Sequence, residues 1–163
     1  MYLLFGFLVL FMFFLLYSGV QALFKDKHQQ KIYQAITEAF KRIIQQHKLF
    51  VSGMDIFNNR LIAIDQKMNK LVLVVYNNGM TEEKCLSLDN LIFCQIINAT
   101  NRKNGCVESV TLELTFRNDP GMERFYFFGE TNDDLRDLPS RIKKSKNWIR
   151  KIKYQTSINQ TGN

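Results

Sequence analysis

Residues 60–76 read RLIAIDQKMNKLVLVVY and predict a β-hairpin. Two runs rich in aliphatic residues, Arg60 to Asp65 and Leu71 to Tyr76, flank the polar segment Gln66 to Lys70. Short apolar runs bounded by turn residues are typical of strands, and Asn69 is able to take the left-handed conformation that a tight turn needs. An antiparallel sheet is therefore the structure that this part of the chain predicts.

The residues around this hairpin continue the strand pattern. Asn78-Gly79 is a strong hairpin signal, because both residues tolerate a positive φ. We predict a type II turn at Asn118 to Gly121, where Pro and Gly supply a fixed and a positive φ. Further strands are expected at Leu49 to Met54, Lys84 to Leu88, Ile92 to Asn98, Glu108 to Phe116 and Arg124 to Phe128, for about seven in total.

Two amphipathic helices are predicted on either side of the strands. From Asp26 to His47 apolar residues recur at three- and four-residue spacing, which favours docking on a sheet or self-association over a position in the headgroup plane. After Gly129 the same spacing returns and includes Trp148, and Pro139 marks either the start of this closing helix or a kink in it. The polar residues 155–163 are expected to form a disordered tail.

Residues 2–24 contain no charged side chain and no proline, and Lys25, Lys27 and Lys31 follow at once. About 20 apolar residues cross the ~30 Å hydrocarbon core, so a transmembrane helix is predicted over residues 1–24. A cleaved signal peptide is the alternative, with Val20 to Ala22 as its cleavage site, but no basic residue precedes Lys25. The three flanking lysines place the following domain in the cytoplasm and the N-terminus outside.

The net charge of +7 is concentrated in one segment. No acidic residue interrupts Arg141, Lys143, Lys144, Lys146, Arg150, Lys151 and Lys153. We interpret this segment as a contact surface for anionic lipid or a partner, with the solvated face of a core helix as the alternative. Nucleic-acid binding is disfavoured, because only Trp148 is interleaved with these charges and the apolar stripe already requires it.

No catalytic or metal-binding pattern emerges from the ionisable residues. The three cysteines, Cys85, Cys94 and Cys106, never occur at C-x-x-C spacing and are expected to be reduced, with one disulfide and one spare thiol as the alternative. A zinc site is disfavoured because His28 and His47 lie in another segment. An enzyme would depend on a cysteine or on Asp65, Asp89 or Glu113 for acid-base chemistry, and each carboxylate also suits a strand end or a solvated face. We expect no cofactor, no metal and no catalysis.

Several segments together resemble the pleckstrin-homology-like (PH-like) domains of small single-pass bacterial membrane proteins with no assigned activity. They are Leu61 to Asp65, Lys70 to Leu73, Leu86 to Ile92, Val110 to Leu114 and Trp148-Ile149. The resemblance implies an α+β fold, with the transmembrane and amphipathic helices followed by a PH-like antiparallel two-sheet barrel of about seven strands, closed by a C-terminal helix. A cystatin- or NTF2-like sheet around the first amphipathic helix is the alternative, which the long closing helix fits poorly.

These observations predict four regions: a transmembrane helix (1–24), a juxtamembrane amphipathic helix (25–48), a PH-like domain (49–154) and the tail (155–163). The expected function is a non-catalytic, membrane-anchored module of the bacterial inner membrane that recruits a protein partner through a sheet edge or through the loops Asn77 to Glu83 and Ala99 to Gly105. The alternatives are a lipid-contacting or homo-oligomeric structural protein, a secreted domain and an enzyme. The resemblance to PH domains implies several basic residues around the loop between the first two strands if inositol lipids are bound. Inositol-lipid binding is therefore disfavoured, because Asp55 to Arg60 offers only Arg60.

Overall fold

A computed structural model describes residues 27–101, 105–117, 119–129, 131 and 133–161. Helix α1 comprises residues 27–47. The strands are β1 (Gly53–Phe57), β2 (Arg60–Asp65), β3 (Lys70–Asn77), β4 (Met80–Ser87), β5 (Leu91–Thr100), β6 (Val107–Phe116) and β7 (Asp119–Gly129), followed by α2 (Leu138–Thr161). Two short 3-10 helices, Leu88–Asn90 and Leu135–Asp137, precede β5 and α2.

The strands form two antiparallel sheets in sequence order. The first sheet has the order β1-β2-β3-β4 and the second has the order β5-β6-β7. Asn69, with a φ of 51°, lies in the turn between β2 and β3, and Asn78 and Gly79, with φ of 49° and 84°, join β3 to β4. Both hairpins therefore turn at residues that tolerate a left-handed backbone, as the sequence predicts.

The main core lies between the two sheets and α2. Ile62 and Leu73 of the first sheet, Leu112 of the second and Trp148 of α2 are all buried in it. Three phenylalanine rings, Phe57, Phe125 and Phe127, pack edge to face in this core, with ring centroids 5.2 to 6.2 Å apart. This geometry suits the aromatic quadrupole and adds to the hydrophobic burial.

Helix α1 packs on the opposite face of the first sheet. Ile36 and Ile43 of α1 are buried in one cluster with Leu61, Ala63 and Val72. Strand β2 is therefore covered on both faces, by α1 on one side and by the main core on the other. This explains why RLIAID contains apolar residues at consecutive positions, and it agrees with the expectation that the helix docks on a sheet.

A buried ion pair connects the second sheet to the first. The carboxylate of Asp133, in the segment between β7 and α2, contacts the guanidinium of Arg60 on β2. Asn58 also donates its Nδ2 hydrogen to Asp133, at 2.5 Å. Side-chain contacts thus connect the two sheets at this end of the molecule.

The closed barrel expected from the PH-like resemblance is wrong. Among the described strands no backbone ladder joins the first sheet to the second. The 3-10 helix Leu88–Asn90 directs the chain away from β4, and β5 begins in the other sheet. The alternation of apolar residues reports which face of a strand is buried, but it does not report which strand pairs with which, and so it could not reveal this break.

The transmembrane helix of the predicted fold falls on residues that the structure does not describe. Residues 1–24 and Lys25 lie outside the described residues. Within the part of the chain that is described, no helix is both long and apolar enough to cross a membrane. The fold is therefore two unclosed antiparallel sheets of four and three strands, with α1 on one face and a C-terminal helix.

Other local expectations need correction. Pro120-Gly121 lies in β7 and not in a turn. Strand β7 is at the edge of its sheet, where a proline is tolerated although it has no backbone N–H to donate. The first strand is Gly53–Phe57, later than expected, and residues 80–83 lie in β4 and not in a contact loop.

Residues 155–161 are helical, whereas the sequence predicts a disordered tail. Helix α2 begins at Leu138, so Pro139 lies in its first turn, where its missing N–H has no helical partner to lose.

Candidate functional site

Two surfaces of the domain have features of a binding site, and the first is the exposed side of the three-stranded sheet. We call it the outer face. Its side chains are Phe93, Gln95 and Ile97 of β5, Thr111, Glu113 and Thr115 of β6, and Met122, Arg124 and Tyr126 of β7, as the strand register places them. Four large apolar side chains remain exposed there: Phe93 (49%), Ile97 (37%), Met122 (49%) and Tyr126 (43%).

A polar row crosses the middle of the outer face. Arg124 donates from Nε to Glu113 Oε1 at 2.9 Å, and Gln95 donates from Nε2 to Glu113 Oε2 at 3.1 Å. The Glu113 side chain is only 8% exposed, and both of its oxygens have partners. The outer face therefore presents apolar side chains on either side of a fixed, internally satisfied polar centre.

Strand β5 forms one edge of this sheet and differs from the other three sheet edges. Its ten residues, Leu91–Thr100, include no charged residue and no proline. By contrast, β4 carries Glu82, Glu83 and Lys84, β7 carries Asp119, Pro120, Glu123 and Arg124, and β1 has only five residues. Charges, proline, short length and β-bulges are the usual protections of an edge against pairing. Strand β5 has none of the first three, and its pairing with β6 is irregular only near its ends, at Leu91/Phe93 and Ala99/Thr100.

The second surface, which we call the basic groove, lies between α2, β1 and the β2–β3 turn. It is a cavity of about 380 Å³ lined by Asp55, Gln66, Lys144, Asn147, Trp148, Arg150, Lys151 and Tyr154. Asp55 accepts hydrogen bonds from Trp148 Nε1 at 2.8 Å and from Lys144 Nζ at 2.6 Å. The carboxylate thereby fixes α2 against β1.

Two cations of the basic groove are not neutralised within the described part of the chain. Lys151 Nζ lies 5.0 Å from the Trp148 ring, in a cation–π arrangement. Arg150 donates from its NH2 group to Asn147 Oδ1 and from Nε to Lys146 O at 3.3 Å. No described carboxylate forms an ion pair with either side chain. The groove therefore has a net positive charge.

The predicted basic segment thus divides into three structural roles. Lys144, Arg150 and Lys151 meet in the basic groove, whereas Lys143, Lys146 and Lys153 are outside it. Arg141 is buried, and its guanidinium carbon lies 4.8 Å from the centroid of the Phe57 ring. The segment is therefore divided between the groove, the solvated side of α2 and the core, and its role as a contact surface stays a prediction. Lys27 and Lys31 are exposed on α1, and Lys25 lies outside the described residues.

The carboxylates considered for acid-base chemistry lie in separate places. Asp65 accepts backbone hydrogen bonds from Phe50 at 2.6 Å and from Lys67 and Met68, each at 2.9 Å, and so organises the β2–β3 turn. Asp89 accepts hydrogen bonds from the Asn69 side chain and from Ser87 Oγ. Since Glu113 belongs to the outer face, the three carboxylates do not converge.

The cysteines are also dispersed, and no disulfide joins the three of them, which all lie in described parts of the chain. Burial raises the pKa of the Cys94 thiol to about 11, although Lys153 opposes the shift. Burial likewise raises the pKa of Cys85. Within the described ranges, no three His, Cys, Asp or Glu side chains group together to hold a metal ion.

Sequence reasoning missed the outer face as a site. Alternation shows that one side of β6 is polar. It does not show that α1 covers the first sheet and not this side of the second sheet. The available signal was the absence of charge over Leu91–Thr100. The chain matches no protein-family model, no curated protein and no solved structure. The PH-like resemblance therefore remains an inference from the sequence alone.

Proposed function

We propose that this chain is a non-catalytic binding module that takes up an extended, uncharged segment of a protein partner along β5. The observation that carries the proposal is the edge of β5, which is ten residues long and contains no charged residue and no proline. An extended segment that adds to such an edge gains main-chain hydrogen bonds along its length. This mode of binding requires a rigid edge and no catalytic group.

The outer face supplies specificity for such a segment. Alternate side chains of an added strand project to the same side as Phe93, Gln95 and Ile97. Phe93 and Ile97 would contact apolar side chains, and Gln95 between them lies beside the polar centre at Glu113. Cross-strand pairs of this kind contribute roughly 0.2–1 kcal/mol each. The favoured segment has apolar or β-branched residues at alternate positions.

The charge of the chain favours a different protein over a second copy as the partner. With a net charge of +7, two copies repel each other at long range. An uncharged edge offers no compensating ion pairs for such a homodimer. A partner that is neutral or acidic outside its docking segment is therefore the better complement.

The proposal includes the location expected from the sequence, at a bacterial inner membrane with this domain on the cytoplasmic side. Its support is the uncharged stretch from Tyr2 to Phe24 and the basic residues that follow it. Attachment to a membrane would raise the effective concentration of a weakly bound partner. Membrane fractionation of cells that express the tagged full chain tests this part.

The docking surface is tested by photo-crosslinking in the native cell. A photoreactive amino acid replaces Ile97 in the tagged full chain, and the matched control places it at Met68, an exposed residue of the β2–β3 turn. We expect position 97 to crosslink to one uncharged segment of another protein, and position 68 not to do so. Crosslinks only to other copies of the chain, or equal products at both positions, would contradict the proposal.

A peptide of the crosslinked segment then tests affinity directly. The full chain, purified in a non-ionic detergent, is titrated with the peptide, and so are two variants of equal charge. We expect Phe93→Lys/Ile97→Lys to weaken binding at least tenfold, and Met68→Lys/Leu135→Lys, which changes exposed residues elsewhere, to leave it within twofold. Equal affinity of all three proteins would remove β5 as the docking edge.

A further inference from the structure

We propose that the basic groove binds a phosphate monoester group, with Lys151 and Arg150 as its ligands. This site is separate from β5 and does not depend on the function proposed above. It lies where α2 crosses β1, and its volume of about 380 Å³ falls within the roughly 300–1,000 Å³ of small-molecule sites.

The charge of the groove matches this ligand. Asp55 neutralises Lys144, to which it is bonded at 2.6 Å, so the two positive charges that remain are those of Lys151 and Arg150. A phosphate monoester carries about −1.5 to −2 charges at pH 7. A carboxylate or a single chloride would leave part of the positive charge uncompensated.

The hydrogen-bonding groups of the groove point to the same chemistry. Both Asp55 oxygens already accept hydrogen bonds, from Lys144 and Trp148. The groove therefore offers mainly donors, namely the ammonium group of Lys151 and the guanidinium hydrogens of Arg150 that are not donated to Asn147 Oδ1 and Lys146 O. A group with three terminal oxygens can accept hydrogen bonds from the Lys151 ammonium and from the Arg150 guanidinium at the same time.

The geometry of the groove is held by buried contacts. Trp148 is almost fully buried and is fixed by its bond to Asp55, and Lys151 lies over its ring. On the other side of the groove, a Cβ added to Gly53 would lie 3.4 Å from Lys151 Nζ. That distance is an ordinary van der Waals contact, so the ammonium group lies close to β1 at Gly53. A site built on fixed neighbours loses less entropy when a ligand binds.

The phosphate could belong to a lipid headgroup or to a soluble ester, since both present the same terminal oxygens. Trp148 is the only tryptophan of the chain and lines this groove, so its fluorescence can follow binding there. The full chain in non-ionic detergent micelles is titrated in one arm with glycerol 3-phosphate. In the other arm, phosphatidic acid is added to the micelles. Ionic strength is matched with sodium chloride throughout.

Two double variants remove the same charge from α2. Arg150→Gln/Lys151→Gln changes the groove, and Lys143→Gln/Lys146→Gln changes exposed residues outside it. All four side chains are exposed, so both variants should unfold at the wild-type temperature. If the double groove variant unfolds at a lower temperature, the single variant Lys151→Gln replaces it in the titrations.

We expect a saturable change in Trp148 emission, weakened at least tenfold in the groove variant and less than twofold in the control. Saturation by glycerol 3-phosphate supports the proposal with a soluble ester as the ligand source, and a response to phosphatidic acid alone supports it with a lipid headgroup. Equal weakening in the two double variants would show diffuse attraction and overturn the site. The absence of a saturable response to either probe would also overturn it.

Discussion

Arg60 and Asp133 form an ion pair in the interior of the domain, with 3.3 Å between Arg60 NH2 and Asp133 Oδ2 and side-chain exposures of only 6% and 0%. Arg60 also donates to Tyr126 O at 2.7 Å, and the Gly129 amide donates to Asp133 Oδ2 at 2.8 Å. Burial lowers the pKa of Arg60, and the charge of Asp133 opposes that shift. The pair connects β2, β7 and the segment before α2, where no strand ladder joins the two sheets.

Asp133→Asn is therefore expected to lower the free energy of unfolding by about 3–5 kcal/mol. The substitution leaves the Arg60 charge buried without its counter-ion. In the wild type, Asn58 and the Gly129 amide donate to the two carboxylate oxygens of Asp133. The substitution directs an amide NH2 group toward one of these donors. Urea unfolding followed by circular dichroism measures the change.

Asp137→Asn is the matched control for this prediction. Asp137 and Arg141 are also 3.3 Å apart, but the Asp137 side chain is 47% exposed. Water screens the Asp137 carboxylate, so its replacement should cost less than that of Asp133, although the Arg141 side chain is only 10% exposed. If the two substitutions had equal effects, the ion pair of Arg60 and Asp133 would not connect the sheets energetically.

A second prediction concerns the contact of α1 with the first sheet. Ile36 is fully buried among Leu61, Ala63 and Val72, so Ile36→Ala should lower the free energy of unfolding by about 2–5 kcal/mol. Tyr33→Ala, one turn away on the exposed side of α1, should have little effect. A stability loss below 1 kcal/mol for Ile36→Ala, measured by urea unfolding, would mean that α1 does not contribute to the core.

The hydrogen bond between Trp148 and Asp55 leads to a third prediction. Trp148→Phe keeps an aromatic ring in the core but removes the donor at 2.8 Å from the carboxylate. Hydrogen bonds to charged groups contribute about 1.5–3 kcal/mol, so a loss of at least this size is expected by differential scanning calorimetry. Tyr154→Phe removes a hydroxyl from an exposed ring and should leave the melting temperature unchanged.

Cys94 gives a prediction that depends on pH. Its pKa is raised from 9.0 to about 11 by burial, so at pH 8 it carries roughly one hundredth of the ordinary thiolate fraction. Iodoacetamide should modify Cys106, which is exposed, well before Cys94 in the folded protein. Peptide mapping after timed alkylation measures both rates, and equal rates would argue against a buried thiol at position 94.

The same raised pKa affects stability in alkaline solution. Between pH 9 and pH 11 the unfolded chain loses the Cys94 proton while the folded chain retains it. The unfolded state then binds fewer protons, so the free energy of unfolding falls as the pH rises through this window. Cys94→Ala removes this contribution, and its unfolding free energy should fall less steeply than that of the wild type over the same range.

Local structure was the part of this fold that the sequence could predict. Arg60 to Asp65 forms a strand with the expected bounds, and Asn69, Asn78 and Gly79 adopt the positive φ that their types favour. These features depend on the backbone preferences of single residues and on short-range alternation, and both can be read from residues that are close together in the sequence. The helices before and after the strands follow from apolar spacing for the same reason.

Long-range relations could not be predicted in this way. Asp55 and Trp148 are 93 positions apart, and nothing in their neighbourhoods indicates that they bond. The basic segment shows the same limit, because helical geometry directs Arg141 to the Phe57 ring and Lys151 to the groove although both belong to one run of charge. Which strand ends a sheet also depends on pairing between distant segments, and so the break between β4 and β5 was not foreseen.

That break affects how the domain loosens. No ladder joins the described strands of the two sheets. Moving one sheet away from the other therefore exposes packed side chains but breaks no backbone hydrogen bond between strands. Each sheet can therefore act as its own cooperative unit in hydrogen exchange. A movement of one sheet relative to the other would change the angle between β5 and the surface that α1 covers, while the strand pairing within each sheet stays intact.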